Sequence, residues 1–279
     1  MNKDELNTKV VSTWCPGCPN FMILEGVKRA IAAESTKDKK SEFAVVSGIG
    51  CHAKIFDYIN LPGLNSLHGR VLPTCLGLKV GNPNLKVVGF SGDGDCYSEG
   101  ISHLIHAARY NADFKYIVHN NQVFALTVGQ PTATTEIGYK DGTTFPFGVK
   151  TMPLNPIKLM LASGATFVAR VFSDINQVES VLKVAFNHKG FAFIEILQPC
   201  ITFHPDIGYK EKTYLLENEK HDKSSLDAAM KKADEFDYNT AKKIPLGIFY
   251  QERKETLEEK YPQLVNLNKK SSSWKDINR

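Results

Sequence analysis

The chain lacks any long hydrophobic run. None of its 279 residues falls in an apolar stretch that approaches the roughly 20 residues needed to span a bilayer, and residues 1–12 are polar and charged. An excess of one charge is also missing, since 34 basic and 30 acidic residues give a formal net charge of +4. No basic stripe interleaved with aromatic residues, internal repeat or low-complexity tract is present. We therefore expect a soluble, cytoplasmic protein that binds neither nucleic acid nor membrane.

What is present is a regular alternation of predicted strands and helices. The pattern predicts strands at residues 43–48, 86–91, 114–119, 165–171 and 191–197, and helices at about 20–33, 70–80, 99–110 and 174–188. Hydrophobic residues make up 42% of the chain, which is enough for a sizeable core. The alternation predicts an α/β fold with a mostly parallel sheet and helices on both faces.

The composition changes near residue 209, where lysine and glutamate become frequent. We expect residues 1–208 to form one α/β domain, and residues 209–279 to form a charged C-terminal extension that packs on this core or on a partner subunit. The extension contains a predicted helix at 225–236 and an apolar run at 244–250, and residues 268–279 are expected to be frayed. The stretch 127–153 has little periodicity and predicts a long loop, either a functional lid or a structural crossing.

Two short polar motifs each follow a predicted strand. Gly92-Asp93-Gly94 comes after the strand at 86–91, and Asn120-Asn121 comes after the strand at 114–119, so that Asn121 lies 28 positions after Asp93. The carboxyl ends of parallel strands meet at one edge of a sheet, and Mg²⁺ prefers oxygen ligands shared with a phosphate-bearing molecule. The pair therefore resembles the signature that binds Mg²⁺ and thiamine diphosphate. Ordinary turns are the alternative interpretation of each dipeptide alone.

Four of the six cysteines lie beside glycine or proline in three separate segments. They are Cys15 and Cys18 in Cys-Pro-Gly-Cys, Cys51 in Gly-Ile-Gly-Cys, and Cys200 in Gln-Pro-Cys. Four such thiols could hold a [4Fe–4S] cluster or Zn²⁺. A redox-active Cys-x-x-Cys pair and buried free cysteines remain as alternatives. The other two, Cys75 and Cys96, are predicted to be packing residues.

Together, the two signals resemble the thiamine-binding β subunit of the 2-oxoacid:ferredoxin oxidoreductases, over roughly residues 13–205. The motifs that carry the resemblance are Trp14-Cys15-Pro16-Gly17-Cys18, Gly48-Ile49-Gly50-Cys51, Leu67-His68-Gly69-Arg70, Gly92-Asp93-Gly94-Asp95, Asn120-Asn121, Leu126-Thr127 and Gln198-Pro199-Cys200. The resemblance implies a thiamine diphosphate-binding fold of the pyrophosphate-binding type. It also implies oxidative decarboxylation of a 2-oxoacid to acyl-coenzyme A and CO₂, with 2-oxoglutarate favoured and pyruvate possible.

The resemblance assigns roles to individual residues. A [4Fe–4S] cluster would be held by Cys15, Cys18, Cys51 and Cys200, and Mg²⁺ by Asp93, Asn121 and the backbone carbonyl of Val123. Thiamine diphosphate would contact Ile49, Gly50, Cys51, His52, His68, Gly92, Gly94, Asp95, Ala125 and Leu126. His68 and Lys54 are candidates for binding the substrate carboxylate or oxyanion, against the alternatives of a surface histidine and an exposed helix lysine.

The resemblance also implies partners. No pyrimidine-binding domain fits in this chain, so an α subunit would supply the glutamate that activates the cofactor and most of the coenzyme A site. Ferredoxin would accept the electrons from the cluster. Two alternatives stay open: a non-redox thiamine-dependent decarboxylase or synthase subunit with structural zinc, and a non-catalytic iron–sulfur scaffold.

The chain departs from the family pattern at three places. Pro19 stands where the family usually has glycine, Phe124-Ala125 replaces an aromatic-glycine pair, and Glu99 lies near a usual aliphatic position. Pro19 has no backbone N–H to donate to a cluster sulfur, and such hydrogen bonds tune reduction potentials. Ala125 requires only that the backbone there avoid a strongly positive φ. None of these departures removes a predicted ligand.

Overall fold

The structure is a computed structural model that describes residues 1–35, 40–205, 209–239 and 243–270. The predicted fraying at the C-terminus falls mostly on residues 271–279, which lie outside the described residues. Within the described part of the chain, no helix is both long enough and apolar enough to cross a membrane.

One sheet of eight strands organises the molecule. Its strands are β1 (Phe43–Ser47), β2 (Gly63–Asn65), β3 (Lys86–Gly92), β4 (Phe114–Asn120), β7 (Phe167–Phe172), β8 (Ala192–Leu197), β9 (Thr213–Leu215) and β10 (Ile244–Gln251), in the spatial order β2-β1-β3-β4-β8-β7-β10-β9. All neighbours are parallel except β7 and β10. A separate two-stranded ribbon pairs β5 (Val123–Phe124) with β6 (Gln130–Pro131). The predicted mostly parallel sheet is confirmed.

Helices cover both faces of this sheet. The helices are α1 (Asn20–Glu34), α2 (Ile55–Tyr58), α3 (Val71–Gly81), α4 (Ile101–Tyr110), α5 (Pro156–Ala162), α6 (Ile175–Asn187), α7 (Leu226–Ala233), α8 (Leu257–Lys260) and α9 (Pro262–Lys270). Successive strand residues point to opposite faces, so Val87 joins a core with α3, α4, α5 and α7, while Val88 joins a second core with α1, α2 and α6. The predicted covering of both faces is confirmed.

The start of α1 bears directly on the candidate site. This helix begins at Asn20, two residues after Cys18, and its cap residue Pro19 makes no side-chain capping bond. Helix α1 packs along α6, with Val27 and Val178 both fully buried in the shared core. The Cys-Pro-Gly-Cys turn is therefore attached to a well-packed helix.

Residues beyond 208 contribute to the central sheet. Strand β10 pairs antiparallel with β7, and β9 pairs parallel with β10 at the edge. Tyr238 reaches into the core, where the Nη2 of Arg170 donates to its hydroxyl over 2.7 Å, and Arg170 forms a fully buried ion pair with Glu195 over 2.9 Å. Residues on both sides of position 208 thus contribute strands to one sheet, and the division into two domains there stays a prediction.

Local differences from the expected elements occur near the cofactor motif. A π-helical turn, Gly94–Ser98, separates β3 from α4, which begins only at Ile101. Single π-helical turns recur at functional sites in other proteins. The stretch 127–153 is largely irregular as expected, although it contains β6, and α5 follows it without having been predicted.

Candidate functional site

The candidate site lies at the carboxyl edge of the sheet. Four adjacent parallel strands, β1, β3, β4 and β8, end there, and the chain leaves them in the segments that begin at Gly48, Asp93, Asn121 and Gln198. Ligand sites of open parallel sheets form at this edge. Motifs that are far apart in sequence are thus brought together by strand order alone.

An open cleft runs along this edge and encloses about 90 Å³. Its lining comprises Ile49, Gly50, Cys51, His52, His68, Gly92, Asp93, Gly94, Asp95, His119, Asn121, Val123, Phe124, Ala125, Leu126, Thr127 and Gln198. All ten residues predicted to contact thiamine diphosphate are among them, as are the three predicted Mg²⁺ ligands. The structure therefore brings these thirteen residues into one site.

Asp93 and Asn121 lie next to each other in this cleft. The backbone N–H of Asn121 donates to the Asp93 carboxylate, and Oδ2 of Asp93 also accepts hydrogen bonds from Thr132 over 2.5 Å and Thr134 over 3.3 Å. Burial raises the pKa of Asp93 to about 7, against the effect of these hydrogen bonds. A divalent cation at this carboxylate would favour its charged form, so the donor set fits Mg²⁺.

The loop that carries the third predicted ligand is tightly shaped. Gln122 has a left-handed backbone, with φ of 60°, and the Oδ1 of Asn121 accepts from the N–H of Val123 over 3.1 Å. Such backbone conformations are uncommon outside glycine and are concentrated at functional sites. This turn presents Asn121 and Val123 to the same cleft.

A glycine cradle forms the opposite wall. A Cβ atom added to Gly94 would lie 2.2 Å from the ring of Phe124, so only glycine allows this close approach. Gly94 lines the cleft, and its main chain packs directly against the ring of Phe124. Ala125 is not among the residues with positive φ, so the departure from the aromatic-glycine pair is sterically compatible.

Asp95 joins three loops beneath the cleft. Its Oδ1 accepts from the N–H of Gly69 over 2.8 Å and from that of Ile49 over 3.4 Å. The carboxylate lies between two histidines, with Oδ1 3.2 Å from Nδ1 of His68 and Oδ2 3.6 Å from Nε2 of His52. Burial raises the pKa of Asp95, and the N–H of Gly69 opposes that shift. Asp95 thus orients the loops that carry both histidines.

Several buried polar atoms in this cleft have no hydrogen-bond partner among the described residues. They are Nε2 of His52, Nδ1 of His68, Oδ2 of Asp95 and Nε2 of His119. The atoms on His52 and His68 face the carboxylate of Asp95 at 3.2–3.6 Å without hydrogen-bond geometry. Buried polar atoms are normally satisfied, so this set is compatible with a polar ligand such as a cofactor with phosphate and amine groups.

The four predicted cluster cysteines lie in one region beside the cleft, near enough for their charges to act on Cys51. The pKa of the Cys51 thiol is raised to about 11, chiefly by burial and also by the charges of Cys18, Cys200 and Cys15, against the opposing charge of Lys54. Cys51 also lines the cleft, and its backbone carbonyl accepts from the indole Nε1 of Trp14 over 2.6 Å. Among the residues that the structure describes, no three histidine, cysteine or acidic side chains are close enough to share one metal ion.

Hydrogen-bond donors surround the cysteine sulfurs. Oγ1 of Thr202 lies 3.6 Å from the sulfur of Cys15, and the N–H of Phe203 lies 3.4 Å from that of Cys200. Donors of this kind stabilise sulfur ligands of iron–sulfur clusters. The remaining cysteines, Cys75 and Cys96, are buried in the hydrophobic core, which confirms that they are packing residues.

The two candidate substrate-binding residues lie in different surroundings. His68 lines the cleft with 37% of its side chain exposed. Lys54 does not line the cleft, and its Nζ donates to the backbone carbonyl of Thr13 over 3.1 Å, on the cysteine side of the loop. A role for Lys54 at the substrate carboxylate stays a prediction.

Several residues of the site were assigned no role from the sequence, although Gln198 lies in the quoted Gln198-Pro199-Cys200 motif. His119 and Gln198 line the cleft, and His204 contacts both the carbonyl of Asn121 over 3.2 Å and the carboxylate of Glu136 over 2.8 Å. The position of His119, directly before Asn120-Asn121 at a strand end, is the one feature that could have marked it. The others are brought in by loops whose paths the sequence does not reveal.

Comparison with known proteins first defines the class. The model of the thiamine pyrophosphate enzyme C-terminal TPP-binding domain matches residues 48–196, more than half of the chain. This range contains all the residues of the cleft except Gln198. The fold and the cleft are therefore those of a thiamine diphosphate-binding domain.

The chain belongs to the family of 2-oxoacid:ferredoxin oxidoreductase β subunits. It is 39% identical to subunit β of 2-oxoacid:ferredoxin oxidoreductase 1 from Aeropyrum pernix, over 92% of this chain and 83% of that protein. It is 38% identical to the 2-oxoglutarate synthase subunit KorB of Archaeoglobus fulgidus, over 71% of this chain and 74% of that protein. A second family model, the C-terminal region of the pyruvate ferredoxin oxidoreductase β subunit, matches residues 200–266.

A solved structure gives the same result. The 2-oxoglutarate:ferredoxin oxidoreductase from Magnetococcus marinus, with 2-oxoglutarate, coenzyme A and succinyl-CoA bound, superposes with a TM-score of 0.87 at 34% identity, covering 100% of this chain and 93% of that chain. The chain is thus a subunit of an oxidoreductase.

Proposed function

We propose that this β subunit binds thiamine diphosphate through Mg²⁺ and carries one [4Fe–4S] cluster, and that it oxidatively decarboxylates a 2-oxoacid to acyl-coenzyme A and CO₂. Electrons leave singly through the cluster to ferredoxin. When bound, thiamine diphosphate supplies the electron sink for decarboxylation. The protein residues position that cofactor and the cluster side by side.

The observation that carries the proposal is the double placement of Cys51. This residue lines the thiamine cleft, and its thiol is near enough to Cys15, Cys18 and Cys200 for their charges to raise its pKa. A cluster on these thiols would sit directly beside the bound cofactor, so electron transfer would cross one short loop. A zinc site would need all four sulfurs about 2.3 Å from a single ion.

Magnesium binding rests on Asp93, Asn121 and the carbonyl of Val123. Asp93 is buried, and its hydrogen-bond partners among the described residues include no cationic side chain. Asn121 and Val123 are held in the turn around Gln122. The three oxygens would leave the remaining coordination positions for the diphosphate and water.

The substrate we favour is 2-oxoglutarate. The superposed structure from Magnetococcus marinus holds this compound, and KorB subunits of 2-oxoglutarate synthases match the chain. Pyruvate is the second candidate, because the C-terminal region matches a pyruvate ferredoxin oxidoreductase model. His68, at the mouth of the cleft, is our candidate for binding the carboxylate or oxyanion.

The active enzyme would be a complex with an α subunit. The cleft encloses about 90 Å³, whereas complete ligand pockets typically measure about 300–1,000 Å³. A second chain would complete the site, bringing the glutamate that activates the cofactor and most of the coenzyme A site. Exposed apolar side chains around the cleft mouth, including Ile49, Leu67 and Leu126, would then be covered.

The test is anaerobic co-expression with the α subunit, followed by assays of several 2-oxoacids with ferredoxin or a viologen dye. We expect rapid ferredoxin reduction with 2-oxoglutarate that requires Mg²⁺, thiamine diphosphate and coenzyme A. Release of an aldehyde by an iron-free, zinc-containing complex would instead support a non-redox decarboxylase. A complex with a cluster that gains no thermal stability from Mg²⁺ and thiamine diphosphate would support a scaffold.

A further inference from the structure

Cys18 has an unusual set of neighbouring donors. The Nε2 of Gln198 lies 3.7 Å from its sulfur, and both the backbone N–H and the side chain of Asn20 lower the pKa of this thiol against the larger opposite effect of burial. The intervening residue, Pro19, has no N–H to offer. The sulfur is therefore served by the neighbouring Asn20 and by one donor from a distant segment, Gln198.

These donors are buried and oriented by a histidine. Gln198, Asn20 and His119 are 3%, 1% and 1% exposed. The Nδ1 of His119 lies 2.8 Å from Oδ1 of Asn20, an acceptor, so Nδ1 carries the proton and donates it to the hydrogen bond. With Oδ1 engaged, the amide nitrogen of Asn20 faces the cysteine and has no hydrogen-bond partner among the described residues. A buried amide N–H without an acceptor is destabilising. It would be satisfied by a deprotonated cysteine sulfur, which carries more negative charge than a thiol and is a stronger acceptor.

The same side chains reach the thiamine cleft. His119 and Gln198 both line it. Burial strongly lowers the pKa of His119, and a hydrogen bond with the side chain of Gln198 partly opposes this effect. A continuous set of buried polar groups thus runs from the cleft wall to the sulfur of Cys18. Polar groups are costly to bury unless they form hydrogen bonds, so we expect these side chains to have defined partners.

We infer that Gln198 and Asn20, the latter held by His119, are positioning residues that donate hydrogen bonds to the sulfur of Cys18 and raise the reduction potential of the cluster. The inference rests on the proposed function, because it requires a cluster on this sulfur. Hydrogen bonds to a sulfur ligand stabilise the reduced, more negative form. The cluster would then accept electrons from the adjacent cofactor more readily than it would without these donors.

The experiment is a redox titration of the anaerobic complex with its α subunit, monitored by the electron paramagnetic resonance of the reduced cluster. In Gln198→Met the side chain keeps its approximate length and loses the donor. We expect its midpoint potential to shift to a more negative value, with the resonance signal of the reduced cluster still present. The control Gln263→Met changes an exposed glutamine in α9 and should leave the potential of the wild-type complex unaltered.

A second measurement uses the wild-type complex and does not depend on a variant that assembles. Selective ¹⁵N labelling of glutamine side-chain amides should produce a hyperfine coupling to the reduced cluster in pulsed resonance spectra. If a cluster is present but the coupling is absent and the potential of Gln198→Met is unchanged, the inference is wrong while the proposed function stands. A wild-type complex without iron would overturn both.

Discussion

The sharpest structural prediction concerns Gly48, at the carboxyl end of β1. A Cβ atom added there would lie 1.9 Å from Oδ2 of Asp95, whereas real Cβ atoms essentially never approach a heavy atom closer than 3.0 Å. In Gly48→Ala the carboxylate must therefore move by about 1 Å or more. That movement weakens the hydrogen bonds that Asp95 accepts from Gly69 over 2.8 Å and from Ile49 over 3.4 Å.

The cost can be sized from these contacts. Overpacking a buried position costs about 1–3 kcal/mol, and weakening one hydrogen bond to a charged group costs about 1–2 kcal/mol. We therefore expect Gly48→Ala to lower the free energy of unfolding by about 2–5 kcal/mol. The same movement shifts the loops that carry His52 and His68, so the affinity for thiamine diphosphate should fall as well.

The assay is urea denaturation of the complex, with thiamine diphosphate binding measured in parallel. The matched control is Gly77→Ala in α3, where a Cβ atom would meet nothing within 4 Å. Replacing a helical glycine in open space should stabilise the protein by about 0.5–1 kcal/mol. If Gly48→Ala unfolded at the same urea concentration as Gly77→Ala and bound the cofactor normally, the role assigned to Asp95 would be wrong.

Three further predictions follow from other parts of the site and core. Cys51→Ser should lower the iron content and impair ferredoxin reduction more than thiamine binding. The control Cys75→Ser, in the hydrophobic core, should keep its iron and lower the free energy of unfolding by about 1–3 kcal/mol. Equal iron content in both variants would argue against the cluster assignment. At a thiamine diphosphate concentration of 100 times the dissociation constant, the cofactor with Mg²⁺ should stabilise the wild-type complex by about 2.7 kcal/mol. Asp93→Asn should abolish the part of this stabilisation that needs Mg²⁺, which thermal unfolding with and without the metal can measure. Glu195→Gln leaves the fully buried Arg170 without its counter-charge, so chemical denaturation should report a loss of about 3–5 kcal/mol; a loss below 1 kcal/mol would mean that the pair is not buried as described.

The sequence predicted the parts of the molecule that depend on local pattern. Strand β3 ends at Gly92 and β4 ends at Asn120, each within two residues of the prediction, because apolar runs and the turns after them are encoded locally. Parallel pairing then puts Asp93 and Asn121 at one edge, as the motif spacing suggested. The residues predicted around the cofactor all line one cleft for the same reason.

Contacts between distant segments could not be predicted. His119 and Asn20 are 99 positions apart, and Gln198 and Cys18 are 180 positions apart, so no periodicity relates them. The apolar run near residues 244–250 predicted burial but not that β10 would pair antiparallel with β7. Burial of a run is a local property of the sequence, whereas its direction depends on the path of the preceding loops.

The central claim is that a thiamine cofactor and an iron–sulfur cluster lie beside each other on this chain. The most direct measurement is rapid-freeze electron paramagnetic resonance of the anaerobic complex with its α subunit, mixed with 2-oxoglutarate in the absence of ferredoxin. We predict a reduced-cluster signal that forms only when thiamine diphosphate and Mg²⁺ are present and that disappears in Cys51→Ser. An iron-free wild-type complex, or a cluster whose oxidation state did not respond to any 2-oxoacid tested, would contradict the account.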